Sequence, residues 1–474
     1  MIKLVLSEVV DAIEGEVAGG TPTLSVEGVT TDSRTARAGD LFFALSGPRF
    51  DGHTFVVEAL KSKAVGAVVG ADRAAEVGRS VAEAGAMGVL IKVDDPLAAL
   101  SRLARFHRQQ SSADVIAVVG SNGKTTTKAM IDHILQARLR GHCSPKSFNN
   151  QIGVPLTLLS ADAADDYLVV EIGTNAPGEV AELAALAQPK TAVVTCISEE
   201  HLEGLRDLHG VAAEECSVLP HVSRGGFAAV NIDWPQVREY LPEQGLTVAT
   251  FGWSEEADLR ITETRYDAPW LRFTLNDRFG YRLRIPGAHN AVNAAAAVTI
   301  ARRWGFEHED IAERLESFIA LPMRTQLLEF GGVSVINDTY NANPESAIAA
   351  IDALEAMPAR GRRVLVFGEM CELGERSPEL HRRVAERLCN SEVNEVLLVG
   401  AAGEMMAGVL RRRASLFGPK ADCCETVDAC YERLLQLLRD GDVVLLKASR
   451  AVELDRLVEP LRATLGGNST SPVD

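Results

Sequence analysis

The chain has 474 residues, 46% hydrophobic and 24% charged, and its 48 Lys and Arg against 65 Asp and Glu give a formal net charge of −17. At roughly 150 residues per domain this length suggests about three domains of an ordinary globular protein. The acidic balance argues against non-specific nucleic-acid binding, which runs on Lys and Arg contacts to phosphate, but it leaves room for a local basic pocket that takes an anionic small molecule.

The opening MIKLVLSEVVDAIEG carries Glu8 and Asp11 where a signal peptide would have its apolar core, so it reads as an amphipathic helix of the mature fold. No stretch approaches the roughly 20 apolar residues of a membrane span; the nearest, AVNAAAAVTIA, is short, rich in Ala and interrupted by Asn293. A cytoplasmic protein without membrane insertion is expected. Eight cysteines occur without a CxxC pair or metal-ligand spacing, and Cys423 and Cys424 are adjacent, which suits reduced thiols, some of them buried.

Residues 1–100 alternate short strands (LSVEGVTTDSR, DLFFALSG, AVGAVVG, MGVLIKV) with helices (HTFVVEALKSK, ADRAAEVGRSVAEAG). PLAALSRLARFHRQQSS, apolar near i, i+3 and i+4, reads as a helix leading into a second block, 101–321. There VIAVVG, YLVVEIG, TAVVTCI and FAAVNID are Val- and Ile-rich runs between helical patterns, as in a parallel sheet covered on both faces. DLRITETRYDAPWLRFTLNDRFGYRLRIPG alternates, with turns at Asp267-Ala268-Pro269 and Asn276-Asp277, and predicts antiparallel hairpins. HNAVNAAAAVTIARRWG is a long helix closed by Gly305. After Leu321-Pro322 a third block, 322–474, repeats the parallel pattern with VSVIND, RRVLVFGE, EVLLVG and VVLLKAS, and the tail GGNSTSPVD reads as disordered. The expected fold class is α/β with three domains.

VIAVVGSNGKTTTKAM carries the chemistry. It has the Gly-Lys-Thr of a phosphate-binding loop, but Val118 stands where the usual G-x-x-x-x-G-K-[ST] pattern has its first glycine. A buried strand, a turn from Gly120 through Ser121, Asn122 and Gly123, and a helix opening at Lys124, Thr125 and Thr126 still compose an anion site. Lys124 can reach the β- and γ-phosphates and the Thr125 hydroxyl can meet Mg2+, so the loop reads as a shortened G-x-x-G-K-T-T.

That loop resembles the one in the Mur ligases and folylpolyglutamate synthases, ATP-dependent enzymes that join an amine to a carboxylate through an acyl phosphate. The resemblance covers nearly the whole chain. TTDSRTARAGDLFFALSGPRFDGHTF is similar to the family's N-terminal UDP-binding domain, and SFNNQIGVPLTLL, EIGTNAPGEV, HLEGLRDLHGVAAEE, PGAHNAVNAAAA, MRTQLLEFGGVSVINDTYNANPESAIAAIDAL and LLKASR follow in the family's order. Within the family, NDTYNANPES followed by EMCELGE and KASR resembles the branch that adds D-Ala-D-Ala to a UDP-N-acetylmuramoyl tripeptide in peptidoglycan synthesis. The resemblance implies a central P-loop-type parallel sheet, a C-terminal Rossmann-like domain, and ATP and Mg2+ as cofactors; a monomer is expected, though the sequence itself gives no oligomeric state.

It also implies roles. Glu171, ending YLVVE, would hold Mg2+; from the residue alone it can equally cap the next turn. His201 lies at the carboxyl edge of the sheet, where α/β ligands bind, and would join the metal site. Asn290 is either a helix N-cap or an adenine contact. Arg324 and Asp338 suit phosphate and ribose, and Asn341, Lys447 and Arg450 suit further substrate contacts. Ser33 and Arg34 would meet the UDP end, and Asn149 and Asn150 the muramoyl peptide. One position departs from the pattern: Glu215 stands where most relatives carry a lysine, carbamylated by CO2, that helps bind Mg2+. It can bind metal directly, act through water, or take no part. Smaller departures are EIG for the commoner EMG, and Glu369 where an Asp is usual. Other readings are another Mur ligase, a folylpolyglutamate-synthase-like ligase, to which the DSR…GDLFFAL block is foreign, a non-catalytic nucleotide-binding relative, or an unrelated P-loop kinase.

Overall fold

In the computed structural model, residues 3–19, 24–47, 50–242, 244–413 and 418–466 are described. Three sheets follow one another along the chain. The first has five strands, with Gly28–Thr30, Asp40–Phe43, Gly66–Gly70 and Val89–Val93 parallel and Glu16–Gly19 antiparallel at one edge. LSVEGVTTDSR is split: Ser25–Val26 pairs with Leu4–Val5 and only Gly28–Thr30 joins the larger sheet. The opening segment forms the helix Leu6–Ala12, with Leu6 and Val9 buried.

The helix Pro96–Gln110, N-capped by the Asp95 carboxylate at the Leu97 and Ala98 amides, leads to the central sheet of nine strands. Its order is Gly141–Cys143, Tyr167–Glu171, Asp114–Val119, Thr191–Val194, Phe227–Asn231, Thr247–Gly252, Leu259–Asp267, Trp270–Leu275 and Phe279–Leu283. The first seven are parallel and the last two form the expected antiparallel meander. Asp114–Val119 lies inside the sheet, flanked by strands that follow it in sequence on both sides, so the crevice beyond its carboxyl end is a topological switch point. Helix His289–Arg303 packs its alanines against the helix Lys124–Leu135; small side chains let the two approach closely.

The third sheet has six strands, with Val333–Asp338, Val443–Lys447, Arg363–Gly368, Glu395–Val399 and Lys420–Cys424 parallel and Gln326–Phe330 antiparallel at the edge. Residues 467–474 of the polar tail lie outside the described residues. Among the described residues no helix is long and apolar enough to cross a membrane, and no disulfide joins the cysteines.

Candidate active site

The shortened loop works because of what lies beneath it. Strand Asp114–Val119 ends with Val118 in register with Glu171 on one side and Val193 on the other. The turn uses left-handed backbone at Gly120 (φ 119°) and Gly123 (φ 83°). A Cβ at Gly120 would lie 2.3 Å from Thr195 Oγ1, and one at Gly123 would lie 2.2 Å from Asn293 Oδ1, so both positions exclude side chains. Three loop amides are already spent on the protein. Gly120 N–H donates to Glu215 Oε2 (2.7 Å), Ser121 N–H to the Cys196 carbonyl (2.9 Å) and Asn122 N–H to Cys196 Sγ (3.1 Å). The helix Lys124–Leu135 begins at once, and its first-turn amides, which have no acceptor within the helix, are the donors left for an anion.

Lys124 Nζ donates to the Gly120 carbonyl and to that of Ser121 (3.4 Å), and sits 3.8 Å from Glu200 Oε1. Burial works against its charge, but Glu200, Glu215 and Glu171 outweigh burial and hold its pKa above the usual lysine range. Glu171, 1% exposed, accepts at Oε1 from the Thr125 hydroxyl (3.2 Å) and the Asn149 amide (2.9 Å), while its Oε2 lies 2.8 Å from Lys128 Nζ. Burial pushes the Glu200 carboxyl up to about 8, against the pull of Lys124, and raises that of Glu215 as well. His201, in left-handed backbone (φ 49°), places Nδ1 2.7 Å from Glu372; burial lowers its pKa and favours the neutral ring.

The third block reaches across to this loop. Arg324 stands between two non-glycine residues in left-handed backbone, Met323 (φ 61°) and Thr325 (φ 48°). Its guanidinium stacks 3.7 Å from the Tyr340 ring centroid and donates to Thr125 Oγ1 (2.9 Å) and Ser147 Oγ (3.3 Å). The Asn122 and Asn343 side chains exchange two hydrogen bonds (3.2 and 3.0 Å). Glu199 accepts from Arg376 at 2.7 Å and from Arg383 at 2.5 Å. Lys447 pairs with Asp338 at 2.8 Å and donates to the Asn341 carbonyl at 2.7 Å. Burial would raise the Asp338 carboxyl, but Lys447 beside it wins and holds it below the usual range.

Two adjoining cavities result. One, of about 370 Å³, is lined by Ser121, Lys124, Thr125, Asn149, Asn150, Glu171, Glu200 and His201. The other, of about 490 Å³, is lined by Thr126, Asn290, Asp338 and Lys447 together with Cys196, Asp233, Trp253 and His289. Asn122, Gly123, Arg324, Tyr340 and Asn341 line both. The remaining expected site residues lie elsewhere. Gly120 and Glu215 are behind the loop and line neither cavity. Ser33, buried, donates to Glu58 (2.9 Å), and Arg34 is exposed against Asp32. Both follow the strand Gly28–Thr30, which packs on the helix Gly153–Leu159 that Asn150 caps through the Ile152 and Gly153 amides. Arg450 pairs with Asp455 (2.8 Å) and touches Met323 Sδ (3.5 Å), outside both cavities.

The N-cap reading of Asn290 is corrected. Ala288 occupies the cap, and Asn290, in the first turn and buried, donates to the Pro286 carbonyl (2.8 Å) and accepts from Asn293 (3.1 Å). Asn293 was missed, although its i+3 spacing from Asn290 puts both on one helix face. Lys128, one turn after Lys124, and Glu200, a second acid beside His201, were missed too.

The donors suit Mg2+. It takes hard oxygens near-octahedrally and usually keeps waters and substrate phosphates, with only one or two protein ligands. A hydroxyl and a carboxylate meet at the cavity wall in Thr125 and Glu171. Among the described residues no group of three or more His, Cys, Asp or Glu could hold a metal by itself.

Three family models match the chain: Mur ligase family, catalytic domain, over residues 25–108; Mur ligase middle domain over 118–301; and Mur ligase, glutamate ligase domain over 323–450. The UDP-N-acetylmuramoyl-tripeptide–D-alanyl-D-alanine ligase of Bacillus subtilis is 33% identical over 97% of this chain and 99% of its own. That of Escherichia coli is 33% identical over 98% and 99%. Among solved structures, MurF from Acinetobacter baumannii superposes with a TM-score of 0.84 at 27% identity, covering 98% and 99% of the two chains. The MurF ligase of Thermotoga maritima, in complex with ADP, gives 0.77 at 28%, covering 93% and 98%.

Proposed function

The chain belongs to the Mur ligase family, and from that premise we propose that it is an ATP-dependent, ADP-forming amide ligase that joins D-Ala-D-Ala to a UDP-N-acetylmuramoyl tripeptide in the cytoplasm, for peptidoglycan synthesis. The observation that carries the reading is the meeting of the Gly120–Thr126 loop with Arg324 between two adjoining cavities, one for phosphates and acceptor carboxylate, the other for the nucleoside.

A carboxylate is a poor electrophile. Once the γ-phosphoryl is on it, the amine displaces phosphate and leaves an amide. Because the phosphoryl brings little covalent work for the protein, catalysis is positioning and charge neutralisation. The first-turn amides and Lys124 hold the polyphosphate, and Arg324 reaches it from the third block. Asn290 and Asp338 take the adenosine end. Asn341 and Lys447 border the incoming groups, with Arg450 behind Met323. Thr125 and Glu171 would hold Mg2+, with His201 bordering the same cavity, and the ion would neutralise phosphate charge. Asn149 and Asn150 meet the muramoyl peptide, and Ser33 and Arg34 the UDP end. Residues 1–100, 101–321 and 322–474 thus divide the work into UDP binding, ATP binding and closure over the nucleotide.

Phosphate release should require UDP-muramoyl-tripeptide and D-Ala-D-Ala together, with a UDP-muramoyl-pentapeptide found by mass. Turnover with glutamate and a folate instead, or none with the dipeptide, would sink the assignment.

A further inference from the structure

We propose that Glu215 is a positioning residue of the phosphate loop, acting through the Gly120 amide rather than on a metal ion. Its carboxylate is 0% exposed, lines neither cavity, and accepts the Gly120 N–H at 2.7 Å from beneath. A carboxylate bonded to a backbone amide is among the stronger hydrogen bonds a fold can make. It fastens the residue whose left-handed backbone starts the turn, directly before the two amides held by Cys196. With those three amides turned inward, the helix Lys124–Leu135 presents its first turn to the cavity in one fixed direction.

The neighbouring residue does the same work for a second loop. Glu214 accepts the Gly178 N–H at 2.6 Å and the Val180 N–H at 2.8 Å, at the start of the helix Glu179–Ala187. The segment before it carries Thr174, Asn175 and Glu179 to the wall of the same cavity. Side chains of consecutive helical residues diverge by about 100°, so the adjacent acids of the helix Leu208–Cys216 reach two different loops. One short helix thereby braces two of the loops that border the phosphate cavity.

Glutamine separates a brace from a metal ligand, because it keeps the carbonyl acceptor and loses the charge. The inference rests on the ligase reading only where turnover is measured, so its main readouts are metal-free. ADP binding is measured by calorimetry in EDTA, and backbone hydrogen exchange is followed in a peptide spanning residues 116–124. Glu215→Ala should weaken ADP about tenfold, the scale of one lost hydrogen bond to a charged group, and speed exchange in the loop. Glu215→Gln should restore both, and should leave the Mg2+ concentration for half-maximal rate within about twofold of wild type. Wild-type ADP affinity and exchange in a folded Glu215→Ala would overturn the proposal. So would a Glu215→Gln that needs several-fold more Mg2+ while its metal-free ADP affinity is unchanged; this second result decides the matter even where the alanine variant does not fold. A wild-type protein that binds ADP but releases no phosphate with D-Ala-D-Ala would fail the ligase reading and leave the Glu215 measurements valid.

Discussion

The two cavities share a wall but handle charge differently. On the nucleoside side, Asp338 and Lys447 face each other at 2.8 Å and Lys447 has a further carbonyl acceptor, so the pair is complete without any ligand. On the phosphate side Lys128 is closed just as tightly against Glu171, at 2.8 Å, but the two cations that border the cavity have no carboxylate within ion-pair contact of that kind. Lys124 donates to two backbone carbonyls and stays 3.8 Å from its nearest carboxylate, Arg324, which borders both cavities, rests on hydroxyls and a ring, and the buried Glu200 Oε1 has no hydrogen-bond partner. A satisfied buried pair fixes structure, whereas a cation on neutral partners can turn to an incoming anion. The difference marks which charged pair is already closed and which cations are left to meet an anion.

The comparison breaks most visibly at Lys124. Lys124→Ala should lose ligation by a factor on the order of 10²–10⁴, since a positioned charge in phosphoryl transfer is worth several kcal/mol of barrier, while the thermal midpoint stays near that of wild type. Single-turnover phosphate release beside a melting curve checks both halves, and a near-native rate in a folded variant would remove the loop from the mechanism.

Asp338→Ala should act on stability as well as on nucleoside binding. Removing one partner of a buried pair leaves Lys447 uncompensated, at a cost of about 3–5 kcal/mol, readable by urea unfolding. The sign with pH is fixed. Because the Asp338 carboxyl is held below 3.8 in the fold, its stabilisation is present above pH 3.8 and is lost as pH falls through its lower folded value. The gap between wild type and Asp338→Ala should therefore narrow toward acid. A gap that widens would show that the pair does not stabilise the fold through charge.

Gly123, common to both cavities, gives a smaller effect. Gly123→Ala meets Asn293 and a positive φ, a strain of about 1–3 kcal/mol, and should lower the urea midpoint accordingly and raise KM for ATP. Smallest is Glu199→Gln, which weakens the contact to Arg376 and Arg383. It should raise substrate KM a few-fold, and the radius of gyration from X-ray scattering without ligand should grow, then return to the wild-type value with ATP analogue and tripeptide. Identical scattering with and without ligand in both proteins would argue against closure about Ala320–Met323.

What the sequence disclosed follows physical range. The Val- and Ile-rich strands, the 267–269 and 276–277 turns and the Gly-Lys-Thr loop are local patterns, and the structure has them where they were read. The edge strands Glu16–Gly19, Gly141–Cys143 and Gln326–Phe330 escaped because they are short or only half buried. The expected residues Lys124, Thr125, Glu171, His201 and Arg324 do meet at one cavity. Their partners were invisible, since Asn122 meets Asn343 and Glu199 meets Arg383 across about two hundred residues, as only the fold dictates.

Met323 and Thr325 hold Arg324 between two strained backbone positions, with a consequence for which mutations are kept. A β-branched Thr at φ 48° is strained by an amount on the order of 1–3 kcal/mol, so Thr325→Gly is a change that directed evolution for heat tolerance would be drawn to. The same change would free Arg324 to sample directions other than Thr125. A selection on stability alone should thus enrich glycine at 325, and a selection on growth should purge it. The ratio of the two enrichments would measure how much of this molecule's robustness is given up to keep one guanidinium pointed across the cleft.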